Sequence, residues 1–176
     1  MKRNMTALTL LAALAACSSQ PTVPATQVPD NLKPAATEVL VAPLAARGVQ
    51  IYECRAKKDD PQAAEWAFVA PEAQLFDAQG KLVGKHYAGP HWESLDGSKV
   101  AGSSKSRADA PQAGAIPWLL LATKSDGPDG AFAKVTSIQR VNTAGGVAPA
   151  DGCTTASLGK QARVAYTADY VMYGSK

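Results

Sequence analysis

The sequence predicts an all-β fold, an antiparallel β-sandwich or small β-barrel with one disulfide. Three observations carry this. Apolar and polar residues alternate with period two in several short runs, most clearly over Arg163–Tyr173, where Val164, Tyr166, Ala168, Tyr170 and Met172 share a face. Turn-forming clusters punctuate these runs at Asp77-Ala78-Gln79-Gly80, Asp96-Gly97-Ser98 and Asp126-Gly127-Pro128-Asp129-Gly130. Helical periodicity is almost missing, so strands must supply the layers that bury the core.

In chain order, Lys2 and Arg3 precede an apolar run from Met5 to Ala16. About a dozen apolar residues suit a signal sequence and are too few for a membrane-spanning helix, which needs about twenty. The run ends at Leu14-Ala15-Ala16-Cys17, followed by Ser18-Ser19. This resembles the bacterial lipobox. Residues 1–16 are then a lipoprotein signal peptide, and Cys17 is the lipidated first residue of the mature chain. Several acyl chains, at ~0.8 kcal/mol per buried methylene, make a stable anchor. Ser18, with no Asp at that position, fits sorting to the outer membrane, so the expected location is its periplasmic face.

Residues 17–33 are rich in Pro, Thr, Ser and Gln and read as a flexible tether. Residues 34–176 form a single β domain. A short helix is expected over Ala35–Val41, stopped by Pro43. Strands follow at Val49–Cys54 and at Glu65–Ala70, the latter ended by Pro71. A third short strand, Ala73–Phe76, pairs across the Asp77–Gly80 turn with Lys81–Tyr87. Pro90 redirects the chain into His91–Ser94. Ser103–Gly114 is polar and patternless and is expected to be a mobile loop. Ile116–Ala122 is apolar enough for a core strand or a core helix, and Phe132–Val141 reads as a strand.

The precursor has 18 basic and 15 acidic residues. Removal of the signal takes Lys2 and Arg3 with it, and the mature domain becomes nearly neutral. That excludes the electrostatic footprint of a nucleic-acid binder. Cys54 and Cys153 remain. An even pair in an oxidising compartment reads as a disulfide. It closes a loop of about a hundred residues, worth up to ~4.7 kcal/mol in chain entropy.

Chemically capable residues concentrate between Gly84 and Ser98, which hold both histidines. His86, Tyr87, His91, Trp92, Glu93 and Asp96 are the candidate ligand-binding residues. His91 and Glu93 share strand parity, and His86 would join them across the Gly89-Pro90 bend. Imidazole and carboxylate are reasonable ligands for zinc or copper, yet no zinc spacing is matched. Ser94 and Ser98 lie nearby, but no Gly-x-Ser-x-Gly elbow accompanies them. Trp66, Trp92 and Trp118, with Tyr52, Tyr87, Tyr166, Tyr170 and Tyr173, are expected to fill the core. Some of them would line a groove for a small apolar ligand or a glycan.

These runs, taken together, resemble one family. Val28-Pro29-Asp30-Asn31-Leu32, Gly48–Cys54, Trp66-x-Phe68, Ala70-Pro71-Glu72-Ala73-x-Leu75, His86-Tyr87-Ala88-Gly89-Pro90-x-Trp92-Glu93 and Asp96-Gly97-Ser98 recur in that order. Ile116–Leu120, Val135-Thr136-x-Ile138–Thr143-x-Gly145-Gly146 and Gly152-Cys153 continue the match. The chain is similar to the exported bacterial and fungal proteins of domain-of-unknown-function family 3455. The resemblance implies a secreted or lipid-anchored domain with two matched cysteines, and no activity. Dinucleotide chemistry is not implied, because no Gly-x-Gly-x-x-Gly follows a strand.

The expected function is a non-enzymatic module of the cell envelope that binds a small ligand or an envelope protein, without a cofactor. Two alternatives belong to other classes. One is a metal-assisted hydrolase using His86, His91 and Glu93. The other is an inhibitor of a cell-wall hydrolase that presents the 103–114 loop.

Overall fold

The structure is a computed structural model, and it describes residues 27–176. The signal peptide, Cys17 and most of the tether lie outside the described residues. Eight antiparallel strands close into a barrel in sequence order. They are β1 (Glu38–Ala56), β2 (Ala64–Phe76), β3 (Leu82–Tyr87), β4 (His91–Ser94), β5 (Lys99–Ala108), β6 (Trp118–Ser125), β7 (Val135–Gly145) and β8 (Gln161–Ser175). β1 closes the ring against β8 from Glu38–Ser175 to Glu53–Gln161. Of the two architectures expected, the barrel forms and the sandwich does not.

Period two decides what faces inward. On β8, Tyr166, Ala168, Tyr170 and Met172 are buried, as the alternation predicts. Ala46 and Ala73, on other strands, join Trp92 and Tyr170 in the same buried cluster. An eight-stranded barrel is just wide enough to be filled by side chains or to hold one small ligand.

A second apolar layer lies outside the wall. A single 3-10 turn, Asp30–Leu32, straps the outer face, and Leu32 packs with Trp118, Leu120 and Val141. Gln139 Nε2 donates to the Leu32 carbonyl at 2.6 Å, and Asn31 Nδ2 to the Arg107 carbonyl at 3.1 Å. The tether expected to run to residue 33 therefore ends earlier. The strap also explains the uninterrupted apolar run of β6. Leu121 faces the interior, while Trp118 and Leu120 face the strap, so both faces are covered and alternation disappears.

Several local expectations are corrected. No helix forms over Ala35–Val41, because β1 begins at Glu38. Pro43 lies within β1, where only β8 is beside it; pairing with β2 starts at Ala45. Proline is tolerated on such an open edge. Pro71 does not end its strand either. β2 runs through it to Phe76, absorbing the separate strand expected at Ala73–Phe76. The polar stretch from Ser103 is β5 as far as Ala108, held by its ladder to β6. Phe132 precedes β7 in a turn, where its amide donates to Ser98 Oγ.

Cys54 near the end of β1 is bonded to Cys153 in the β7–β8 connection, with Cα atoms 5.3 Å apart.

Candidate functional site

The hairpin of β3 and β4 is short, and this opens the barrel's side. Its ladder to β2 stops at Ala73–His86, and its ladder to β5 stops at His91–Ala101. β2 nevertheless continues back to Ala64, and β5 continues on to Ala108. Above the Gly89-Pro90 turn the wall therefore has a window. One jamb is Phe68 and Val69 of β2, where a bulge sets two residues against Tyr52 of β1 and leaves both half-exposed. The other jamb is Ser103 and Ser104 of β5, beside a second bulge. Bulges gather where a sheet must re-aim its side chains.

Behind the window lies a cavity of about 330 Å³, lined by Gln50, His86, Trp92, Leu119, Leu121, Arg140 and Tyr170. That is the size of a pocket for a small molecule. Three packed aromatic rings form part of the wall. His86 stacks on Trp92 with ring centroids 4.1 Å apart, and both meet Tyr170 edge-on, at 5.1 and 5.4 Å. Gly102 makes room for the indole. A Cβ there would fall 2.6 Å from Trp92 Cζ3.

His86 is 2% exposed, and burial is the main force holding its imidazole down to about 3. It is neutral at physiological pH. Its Nδ1 donates to the His91 carbonyl at 2.8 Å, which leaves Nε2 as an acceptor. Arg140 gives the cavity its charge. Its Nε and Nη2 donate to the Pro117 carbonyl at 3.1 and 2.8 Å. None of the ion pairs among the described residues includes it. Two further cavity residues carry unmet donors. Gln50 Nε2 and Trp92 Nε1 are buried without a hydrogen-bond partner, although the Tyr166 hydroxyl lies near the Gln50 amide.

Five of the six candidate residues divide between the two sides of the wall, and Asp96 lies in the β4–β5 turn. His86 and Trp92 are cross-strand partners facing in. Tyr87, His91 and Glu93 face out. His91 and Glu93 do share a face, but His86 lies on the opposite one, so the expected His86–His91–Glu93 grouping does not form. Among the described residues, no three of His, Cys, Asp and Glu converge as a metal would need.

The outer three join a polar ladder. Tyr87 donates to Glu93 Oε2 at 2.6 Å, and Lys85 Nζ is 3.1 Å from Oε1. Glu93 is held below the ordinary carboxylate range by the Tyr87 hydroxyl and then by Lys85, while the bond to Glu93 raises Tyr87 to about 12. His91 bridges the Ala88 carbonyl and the Asp126 carboxylate, at 2.7 and 2.9 Å. Gly89, at φ 128°, is required there: a Cβ would fall 1.9 Å from His91 Nδ1.

Asp96 serves a turn. Its Oδ1 accepts from the Ser98 hydroxyl and amide at 2.6 and 2.9 Å, and its Oδ2 from the Ala131 amide at 2.8 Å. The Ser98 hydroxyl and then these amides lower it to about 2. It clips the β4–β5 turn to the loop before β7.

A wider depression of about 630 Å³ lies outside the wall, along β1 to β4. Its cations are already engaged: Arg163 with Glu72, Lys85 with Glu93, and Arg47 over the Phe76 ring. The cavity lining includes a guanidinium in no ion pair among the described residues and two residues with buried, unpartnered N–H groups, so it is the stronger site, although Trp118 Nε1 and Ser137 Oγ also lack partners elsewhere in the barrel. Sequence reasoning missed Gln50 and Arg140. One lies in an ordinary alternating strand and the other in a run with both faces buried, and neither carries a motif.

Residues 34–174 match the family described as Protein of unknown function (DUF3455). The chain belongs to this family. The match spans all eight strands except the last residue of β8. The DUF3455 domain here is thus the barrel itself, with the window and the disulfide inside its limits. No curated protein and no solved structure matches the chain.

Proposed function

We propose that this DUF3455 protein is a non-enzymatic binding module of the cell envelope, anchored by acyl chains on Cys17 to the periplasmic face of the outer membrane. Its ligand is a small molecule that enters through the side window. The observation supporting this most is the cavity behind the window, whose lining includes Gln50 and Trp92, two residues with buried N–H groups that lack a partner. A buried donor without a partner costs about 1–3 kcal/mol. A fold keeps two such donors on the lining residues of one cavity at a cost that a bound ligand offsets.

Ligand-observed NMR with a library of small charged and neutral apolar compounds tests the binding. Hits on the wild type should vanish in Ser104→Trp, which places an indole in the window, while its circular dichroism stays unchanged. Hits that bind both forms equally, or no hits at all, overturn the reading. For the anchor, Cys17→Ser should leave the protein uncleaved or in the soluble fraction. A processed variant that still partitions to membranes overturns it.

A further inference from the structure

We infer that the ligand of the barrel interior is a small apolar or aromatic carboxylate, bound with its carboxylate toward Arg140, Gln50 and Trp92 and its body against Tyr170 and Leu121. This rests on the reading of the interior as a ligand site. Three observations carry it. Arg140 lines the cavity and forms no ion pair among the described residues. A guanidinium in a sheltered, mostly apolar setting calls for an anion. Two residues of the same lining, Gln50 and Trp92, carry buried side-chain N–H groups without a partner, and both groups are donors. Donors select an acceptor, and a planar guanidinium suits the flat, two-oxygen face of a carboxylate.

Charge count limits the anion. One guanidinium balances a single negative charge, whereas a phosphate dianion needs more cationic partners than this cavity holds. Volume and lining limit the rest. About 330 Å³, walled by Trp92, Tyr170, Leu119 and Leu121, accepts an apolar or ring-sized body and excludes a long oligosaccharide. Phe68 and Val69 at the window, 53% and 40% exposed, continue the apolar surface outward.

Isothermal titration of the full chain with benzoate and phenylacetate, against benzamide and phenylacetamide, tests this. Each pair matches in shape and differs in charge. The acids should bind at least about tenfold more tightly, as one charge-assisted bond set predicts. Arg140→Gln should remove that advantage. Should Arg140→Gln fail to fold without its bonds to Pro117, Gln50→Leu serves, because its amide nitrogen has only the nearby Tyr166 hydroxyl and no formed hydrogen bond to lose. It should weaken the acids more than the amides, because the lost donor bonds a charged oxygen more strongly than a neutral one. If amides and acids bind the window equally, the carboxylate inference is overturned and the binding reading stands. If the acids keep their advantage in every folded variant, the inference is overturned as well. If neither these compounds nor any other enters the window, both fall.

Discussion

His86 Nδ1 and the His91 carbonyl oxygen are 2.8 Å apart, yet the two imidazoles lie on opposite sides of the barrel wall. The bond spans the β3–β4 turn. It fixes the His86 tautomer and turns a residue that looked like a metal ligand into part of the cavity wall.

This predicts how stability depends on acid. The folded imidazole is held down to about 3, chiefly by burial, against an unfolded value of about 6.5. The unfolded chain therefore takes up this proton first. Stability is complete above pH 6.5 and falls as pH drops toward 3, by about 1.4 kcal/mol for each pH unit from this group. Urea unfolding at pH 7, 5.5 and 4.5 measures the slope, and His86→Phe should flatten it. A slope unchanged in the variant would assign the effect to other groups.

Gly102 and Trp92 are in close contact for a second reason. The indole lies where a Cβ on residue 102 would sit, so Gly102→Val forces it to shift. Overpacking of this kind costs about 1–3 kcal/mol. The variant should unfold at lower denaturant and change its tryptophan emission. Its cavity should lose ligand binding even where the barrel still folds.

The strap supports the wall from outside. Leu32 is fully buried against Trp118, Leu120 and Val141. Leu32→Ala should cost about 2 kcal/mol or more. Hydrogen exchange should then rise in β6 and β7 before it rises in β3 and β4. Uniform loss of protection would mean that the strap does not stabilise those strands selectively.

Cys54 and Cys153 are separated by 99 positions in sequence, and their bond fastens β1 to the connection before β8. Replacing both with Ser should lower stability by about 2–5 kcal/mol. The β1–β8 seam closes the barrel, so loss of the ring should accompany loss of the bond in a single cooperative transition. A double variant as stable as the wild type would contradict this.

Alternation on β8 and the Asp77–Gly80 turn were legible because each depends on a few neighbouring residues, and the disulfide because only two cysteines remain after Cys17. The helix expected at Ala35–Val41 and the first half of the loop expected at Ser103–Gly114, as far as Ala108, failed for one reason. Ladders to β8 and β6, made with residues distant in sequence, override local propensity. Pro71 misled in the same way, since only the register shows that β2 has an open edge there.

The candidate site shows the same division. The sequence located the crowded stretch and its aromatic residues, but it grouped His86 with His91 and Glu93 across the Gly89-Pro90 bend, whereas the β3–β4 register puts His86 and Trp92 on one face and Tyr87, His91 and Glu93 on the other. The sequence could not tell which of these faces was the inside. By itself it determined an all-β chain, its turns, its disulfide and its family. Tertiary structure decided that the sheet closes into a barrel and that a short hairpin leaves a window. It also brought Gln50 of β1 and Arg140 of β7 to the cavity that His86 and Trp92 line. Ring closure is a long-range event, and residues remote in sequence become neighbours only when the last strand pairs with the first.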